Sequence, residues 1–287
     1  MKLLLKYLHP SNIGSYIYTI LNYLLLVGLL HYVFEVEASK AFLDISILYL
    51  ISFLIAISPL GEIFLRITTG CKKITDPVIL NRINPLYQEV FLEAKAKYPY
   101  LKKPFKLFIK HDDSINAFAV GRNTICINRG LLALDDDAIK GILAHEIGHH
   151  ACRDTTFLLI ISITNLTTNI IIILAQLFIN IISFIFALIF SSERNYIWAI
   201  IIRFLLIIPF TLLVKFWQLI CNILISYSSR QNEFEADFFA VEIGYGYELK
   251  YALAMLDSST SSYSWYEKMF ISHPETHKRI ERISAAL

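Results

Sequence analysis

The sequence predicts an α+β fold in which about four transmembrane helices accompany a soluble domain with a small β-sheet. Composition is the first observation: hydrophobic residues make up 56% of the 287 residues and charged residues only 17%, outside the usual range for soluble globular proteins. The second observation is that the apolar residues are grouped in blocks, whereas residues 66–155 and 228–287 are of mixed composition. The apolar residues fall mainly in four runs, at 16–34, 41–60, 157–190 and 197–227. We therefore expect membrane segments to alternate with two halves of one soluble domain.

Net charge and cysteine spacing indicate which partners and which redox compartment to expect. The formal net charge is +2, and no Lys/Arg cluster with interleaved aromatic residues is present, so we expect no nucleic-acid partner. The four cysteines have no CxxC or other paired spacing, which is typical of free thiols in a reducing compartment. They are Cys71, Cys126, Cys152 and Cys221.

The first two apolar runs predict an N-terminal transmembrane hairpin at residues 1–61. A helix needs about 20 apolar residues to cross a bilayer, and residues 16–34 and 42–60 both reach that length. The first run begins late for a signal peptide and a second run follows, which favours an uncleaved anchor. Lys2 and Lys6 precede the first run and further basic residues follow the second. By the positive-inside rule, the N-terminus and the region after residue 62 are cytoplasmic.

Residues 62–155 have the pattern of the first half of a soluble α+β domain. Apolar residues at helical spacing follow Asn84-Pro85, which predicts a helix that begins there and ends before Pro99. Three short segments rich in β-branched and aromatic residues predict strands: "KLFIKH", "NAFAVG" and "TICINR". A second helix is expected to begin at Asp135 to Asp137, because their oxygens accept hydrogen bonds from the first N–H groups of a helix.

The later apolar runs predict a second membrane hairpin at residues 156–227, followed by the second half of the domain at 228–287. Residues 157–190 would span about 51 Å as a helix, more than one perpendicular crossing requires. The segment is therefore tilted, or part of it leaves the bilayer. Residues 197–227 are interrupted by Arg203, Pro209 and Lys215. We predict a fourth span there, with a hairpin packed on the membrane surface as the alternative.

A metal-binding pattern lies on the predicted second helix. His145 and His149 are four residues apart and share one helical face, so both imidazoles can reach one ion. Glu146 lies beside them and could reach a water molecule without binding the metal. A polar helix with incidental histidines is the alternative interpretation of these five residues. A catalytic zinc ion requires three protein ligands and one open position, so a third ligand decides between the two.

The third ligand is not supplied by the residues directly after the motif. Cys152 stands where the extended HExxHxxGxxH pattern needs glycine, and Thr155 stands where it needs histidine. Asp154 would lie on the opposite face of the helix. Glu193, between the last two apolar runs, would lie across the membrane if both runs span it.

The segment "SRQNEFEADFFA" contains the remaining carboxylates. Glu233 and Asp237 are four residues apart on one helical face, whereas Glu235 points away. An even number of membrane crossings after His149 returns the chain to the same side, and the two apolar runs supply that number. Topology therefore allows Glu233 or Asp237 to meet the two histidines.

Four separated segments resemble the HtpX-like membrane metallopeptidases, relatives of the CaaX prenyl proteases. They are "NAFAVG", "GLLALDDDAIKGILAHEIGHH", "SRQNEFEADFFA" and "SHPETHKRI", in the family's order. The resemblance covers about residues 80–155 and 226–282 and includes the four-span plan. It implies a gluzincin-type zinc endopeptidase domain on the cytoplasmic side, with one Zn²⁺ per chain. The implied ligands are His145, His149 and Glu233, the implied general base is Glu146, and Asp237 would orient a ligand histidine.

The same resemblance draws attention to the segment "SHPETHKRI". His273 and Arg279 are the available candidates to stabilise an oxyanion, with a helix cap and a surface charge as the alternative interpretations. Glu275 departs from the family pattern, which usually has a second proline after His273-Pro274.

Two further predictions concern neighbours of the metal motif. The segment Asn116, Ala117, Phe118 and Ala119 is expected to be an edge strand that pairs with an extended substrate, and Asn116 could also touch the residues behind the metal ligands. His150 lies about 100° around the helix from His149 and is expected to be a surface or packing residue.

These features favour a membrane-anchored zinc endopeptidase that cleaves misfolded or membrane proteins, a substrate class that the HtpX resemblance implies. The expected location is the cell inner membrane, with the lipid bilayer and protein or peptide substrates as partners and protein quality control under stress as the role. Alternatives are CaaX-type prenyl-protein processing and a non-catalytic zinc-binding scaffold. An intramembrane protease is disfavoured, because the charges flanking the motif would lie in hydrocarbon.

Overall fold

A computed structural model describes residues 10–32, 34–189, 196–257 and 275–287. A short 3-10 turn, Pro10–Asn12, precedes the first helix. The α-helices are α1 (Ile13–Tyr32), α2 (Ala38–Ile57), α3 (Pro59–Thr68), α4 (Pro77–Lys97), α5 (Asp136–Cys152), α6 (Asp154–Ile189), α7 (Tyr196–Glu242), α8 (Gly246–Asp257) and α9 (Thr276–Ala286). The strands are β1 (Lys72–Lys73), β2 (Lys106–Lys110), β3 (Ala117–Val120) and β4 (Thr124–Asn128).

Four of the described helices are long and apolar enough to cross a membrane, which supports the predicted number of spans. By length and composition, these segments are Pro10–Tyr32, Ala38–Ile57, Thr168–Ile185 and Ile207–Glu242. Helices α1 and α2 lie close to the predicted spans at 16–34 and 42–60. Together with the small sheet of mixed parallel and antiparallel pairs, they give a mostly helical membrane protein.

Helix α7 is much longer than one membrane crossing. Its 47 residues run without a break through Pro209, and at 1.5 Å per residue they extend about 70 Å. A hydrocarbon layer of about 30 Å accounts for less than half of that length. The helix therefore exceeds a single crossing, and its C-terminal part, which carries Glu233, packs against the core that contains Phe239 and Ala240.

The four-stranded sheet has the order β1-β2-β4-β3. Strands β2 and β4 are parallel, and the other two pairs are antiparallel. The three predicted strands are confirmed as β2, β3 and β4. Strand β1 was not predicted, because two lysines carry no strand pattern and pair with β2 only in the folded chain. The order leaves β3 at one edge of the described sheet.

The predicted start of helix α4 was wrong. The helix begins at Pro77, eight residues before Pro85, which lies inside it. The Asp76 carboxylate accepts a hydrogen bond from the Val78 N–H at 2.8 Å, and Pro77 supplies a preorganised first-turn φ, so this start is better capped than Asn84-Pro85. The helix ends at Lys97, before Pro99, as predicted.

Helix α5, which carries the metal motif, lies at the centre of the soluble core. Asp135 caps it as predicted, since its carboxylate accepts from the Ala138 N–H at 2.8 Å. Two glycines allow close approach of neighbouring helices. A Cβ on Gly141 would lie 2.3 Å from the Leu249 nitrogen of α8, and one on Gly148 would lie 3.0 Å from the Ala236 Cα of α7. Helix α5 therefore contacts α7 and α8 almost backbone to backbone.

Candidate metal centre

Helices α5 and α7 bring the three predicted ligands together. The Nε2 atoms of His145 and His149 are 3.1 Å apart. The Glu233 carboxylate lies 3.4 Å from Nε2 of His145 and 3.5 Å from Nε2 of His149. All three ligand atoms lie within 4.8 Å of one another, so one ion can contact all of them. The contact joins residues on two helices that are separated in sequence by the whole of α6.

This donor set fits a metal ion of the zinc type. Two imidazole nitrogens and one carboxylate oxygen form the ligand set of many catalytic zinc sites, which keep a fourth position open. His145 and Glu233 are buried, so neighbouring residues rather than water surround these two donor groups. The arrangement can therefore hold a zinc ion with an open side toward the cleft.

Glu146 lies beside these donors with one carboxylate oxygen unused. Its side chain is 5% exposed, and Oε2 has no hydrogen-bond partner among the residues that the structure describes. The backbone of Ala119 in β3 hydrogen-bonds to this carboxylate. Burial raises the pKa of Glu146 above its ordinary value, while the neighbouring histidines oppose the shift. A buried carboxylate with a raised pKa is a suitable proton acceptor for a water molecule in the cleft.

Asp237 and Arg279 form a buried layer behind the ligands. Asp237 Oδ1 lies 2.8 Å from Nδ1 of His145. Burial would raise the pKa of Asp237, but Arg279 and His145 together outweigh it and hold the pKa below its ordinary value, so the group is a carboxylate. Since a carboxylate only accepts, this contact requires a proton on Nδ1 of His145, and in the neutral ring Nε2 then keeps its lone pair for a metal.

Arg279 of α9 connects both carboxylates of α7. Its Nε donates to Asp237 at 2.8 Å, and its Nη1 lies 3.1 Å from Glu233 Oε2. At 9% exposed it is buried, so the alternative interpretation of Arg279 as a surface charge was wrong. The sequence indicated this arginine as a candidate, but its contacts with Asp237 and Glu233 appear only in the structure. His273 lies outside the described residues, and Glu275 occupies the N-cap position of α9.

His150 is a packing residue rather than a metal neighbour. Its Nε2 lies 2.8 Å from the Thr124 carbonyl oxygen, and its ring stacks on Phe105 with centroids 4.3 Å apart. Burial lowers its pKa to about 4, so the ring is neutral and joins α5 to β4. The packing alternative of the prediction is confirmed, and the surface alternative is wrong.

A cleft of about 460 Å³ opens onto the metal ligands, and β3 forms one wall of it. Asn116 is exposed in this wall, and its carbonyl accepts from the Asn128 N–H at 2.9 Å. Since hydrogen-bonded pairs alternate along an antiparallel ladder, residues 118 and 120 also bond to β4. The N–H and C=O groups of Ala117 and Ala119 therefore point away from β4, toward the free edge.

Comparisons with known proteins agree with this architecture. Residues 81–287 match the family described as Peptidase family M48. The chain is 31% identical over 200 residues to a CAAX prenyl protease 1 homolog from Taenia solium, covering 65% of this chain and 38% of that protein. It is 26% identical over 198 residues to a Protease HtpX homolog from Bacillus velezensis, covering 62% of each.

Among solved structures, the crystal structure of S. mikatae Ste24p resembles the whole described fold. The TM-score is 0.53 at 20% sequence identity, covering 98% of this chain and 65% of that one. At this identity the likeness concerns the fold alone. The chain spans less than two thirds of the length of each of these three relatives.

Proposed function

The chain belongs to peptidase family M48, as its HtpX-like motifs predicted, and on that premise we propose that it is a membrane-anchored zinc endopeptidase. One observation carries the proposal. The buried group of His145, His149 and Glu233 lies at a cleft beside Glu146, whose free oxygen faces the same space. A purely structural metal site would have no need of this additional carboxylate.

Each residue has a chemical role in this proposal. His145, His149 and Glu233 hold the zinc ion, which when bound polarises the scissile carbonyl and lowers the pKa of water. Glu146 accepts a proton from the attacking water and passes it to the leaving amine. Asp237 keeps His145 oriented through Nδ1, and Arg279 forms ion pairs with both Asp237 and Glu233.

Stabilisation of the oxyanion needs a donor that faces the cleft. Arg279 lines the cleft, although two carboxylates already occupy its guanidinium. His273 is the second candidate, by resemblance alone. We propose Arg279 and His273 as the candidates for this role. We also propose that Asn116, at the exposed end of the β3 wall, contacts the residues behind the metal ligands.

The free edge of β3 is proposed to bind substrate backbone. An extended peptide that adds to an edge strand gains main-chain hydrogen bonds without any demand on its side chains. Ala117 offers its N–H and C=O within the cleft and Ala119 its C=O, because the Ala119 N–H already donates to Glu146. This mode suits a protease that accepts many unfolded sequences.

The position of the cleft relative to the bilayer supports membrane or misfolded proteins as substrates. The turn between β3 and β4 is tied to the end of the second span: Arg122 donates to the Ile57 carbonyl at 2.7 Å, and Thr124 donates to Glu62 of α3 at 2.6 Å. Helix α3 exposes Leu60 and Ile67, as expected for a helix at a membrane interface. We propose that this surface is cytoplasmic and that the membrane is the cell inner membrane, following the lysines around the first two spans.

A second candidate function is CaaX-type processing of prenylated proteins. The similarity to the CAAX prenyl protease 1 homolog from Taenia solium favours it. A prenylated CaaX peptide tested beside an unfolded protein separates the two candidates. We expect cleavage of the unfolded protein, and strict preference for the prenylated peptide would select the alternative.

We expect hydrolysis to require zinc. Protein purified in mild detergent should cleave an unfolded substrate, fall to the background rate after chelation, and recover when one equivalent of Zn²⁺ is returned. Cleavage that persists in protein shown to be metal-free would exclude a metallopeptidase. A zinc-loaded protein that cleaves nothing would instead support the non-catalytic scaffold.

The substitution Ala117→Pro should raise KM about 2- to 10-fold with little change in kcat, because it removes one outward donor worth roughly 0.5–1.5 kcal/mol. Proline is tolerated at the first residue of an edge strand, and Ala117 has that position. Ala117→Ser keeps the N–H and is the matched control. Equal KM values for both variants would show that the Ala117 N–H does not bind substrate.

A further inference from the structure

The 3-10 turn that leads into α1 contacts α7 immediately beside Glu233. Asn232 directly precedes Glu233, and its Nδ2 donates to Oδ1 of Asn12 at 3.0 Å. Both asparagines are 2% exposed. The two residues are 220 positions apart in sequence, so this bond joins opposite ends of the chain.

The same face of α7 contacts α1 over several turns. The Ser228 hydroxyl oxygen accepts from the Ser15 N–H at 3.0 Å. A Cβ on Gly14 would lie 2.2 Å from the Leu224 carbonyl oxygen, so the backbones touch there. Residues 224, 228 and 232 are four apart and share one helical face. We call this row, with Asn12, Gly14 and Ser15 opposite it, the α1–α7 contact.

Glu233 is one residue beyond the α1–α7 contact and about 100° around the helix, on the side that faces α5. A shift of α7 by one residue along α1 would move the Glu233 carboxylate by about 1.5 Å and rotate it by the same 100°. Such a shift would also leave buried amide and hydroxyl groups without partners, which is costly in an apolar environment. The polar pairs therefore fix the position of α7 along α1 and its rotation about its own axis.

We propose that the α1–α7 contact positions Glu233 for metal binding, and that Asn12 is a positioning residue for the site. The inference rests on the proposed zinc site but extends it to the N-terminal membrane helix. Asn232 belongs to the segment "SRQNEFEADFFA", but none of the sequence motifs includes Asn12. Substitution of a residue that holds a metal ligand in place commonly lowers metal affinity about 10- to 100-fold. Asn12 acts on Glu233 in this way, through the adjacent Asn232.

A matched pair of variants tests this role, one in the turn before α1 and one within α1. Asn12→Leu removes the bond to α7. Asn22→Leu removes an equally buried bond of the same kind, since Asn22 Nδ2 donates to Thr168 Oγ1 of α6 at 2.8 Å. Each variant loses one buried side-chain hydrogen bond, but only the Asn12 bond is made to the helix that carries Glu233.

For the full chain in detergent, Zn²⁺ affinity is measured by competition with a chromophoric chelator, alongside the visible spectrum of the Co²⁺-loaded protein and the Tm. We expect Asn12→Leu to weaken zinc binding about 10-fold or more and to alter the Co²⁺ spectrum. Asn22→Leu should lower the Tm to a similar degree and leave affinity and spectrum unchanged. Ser228→Ala, a milder change in the same contact, should weaken zinc binding several-fold if Asn12→Leu does not fold.

Wild-type affinity and spectrum in Asn12→Leu and Ser228→Ala would overturn the positioning role, as would an equal loss of affinity in Asn22→Leu. Either result leaves the zinc site itself intact. Failure of the wild-type protein to bind zinc would overturn the site and the positioning role together. The metal measurements do not depend on peptidase activity, so loss of the proposed reaction is detected separately.

Discussion

Glu146→Gln is expected to reduce peptide hydrolysis by about 10²- to 10⁴-fold while leaving the zinc content of the protein unchanged. Glutamine has nearly the shape of glutamate but cannot accept the proton of the attacking water. Because Glu146 is not one of the three clustered donors, the ion should remain bound. The measurement is kcat on an unfolded substrate, with zinc determined per chain in the same preparation.

Asp137→Asn on the same helix is the control for this prediction. Asp137 is exposed in the first turn of α5, remote from the cleft, so we expect wild-type kcat and zinc content. Cleavage at the wild-type rate by Glu146→Gln would remove the general base from the mechanism. A parallel loss of zinc would instead show that the substitution disrupts the site as a whole.

Glu233→Gln is expected to lose zinc at concentrations that saturate the wild-type protein. The substitution replaces a charged oxygen ligand by a weaker neutral one. Zinc affinity should therefore fall by more than the roughly 10- to 100-fold that is typical when a residue behind a metal ligand is substituted. It also leaves Arg279 with one carboxylate partner instead of two. Zinc stoichiometry after dialysis and a chelator competition titration measure the loss.

Glu235→Gln is the matched control, because it changes the same residue type on the same helix outside the three-residue donor group. We expect it to bind one zinc ion with wild-type affinity. One zinc ion per chain in Glu233→Gln, at unchanged affinity, would show that another residue completes the site.

The elements that the sequence predicted correctly have short-range causes. Runs of apolar residues long enough to cross a bilayer predicted the spans, short segments rich in β-branched and aromatic residues predicted β2 to β4, and the Asp135 cap predicted the start of α5. The error at α4 has the same origin: Asn84-Pro85 imitates a helix start, but Asp76-Pro77 provides a better one and Pro85 is accommodated inside the helix.

For the candidate site, the sequence by itself determined which side chains are available. The i, i+4 spacing put His145 with His149 and Glu233 with Asp237, and the even number of crossings allowed the two pairs to meet. The resemblance then selected Glu233 as the third ligand. Each step follows from local helical geometry or from chain topology, neither of which requires knowledge of how helices pack.

Only the tertiary structure decided how the parts are held. Arg279 was a candidate by resemblance, but its burial against Asp237 and Glu233 depends on how α9 packs on α7. The bond between Asn12 and Asn232 joins residues 220 positions apart, and Asn12 belongs to no motif. Contacts of this kind arise from the rotation and height at which whole helices pack, quantities that local spacing does not encode. The sequence therefore determined the chemistry of the site, and helix packing determined its geometry.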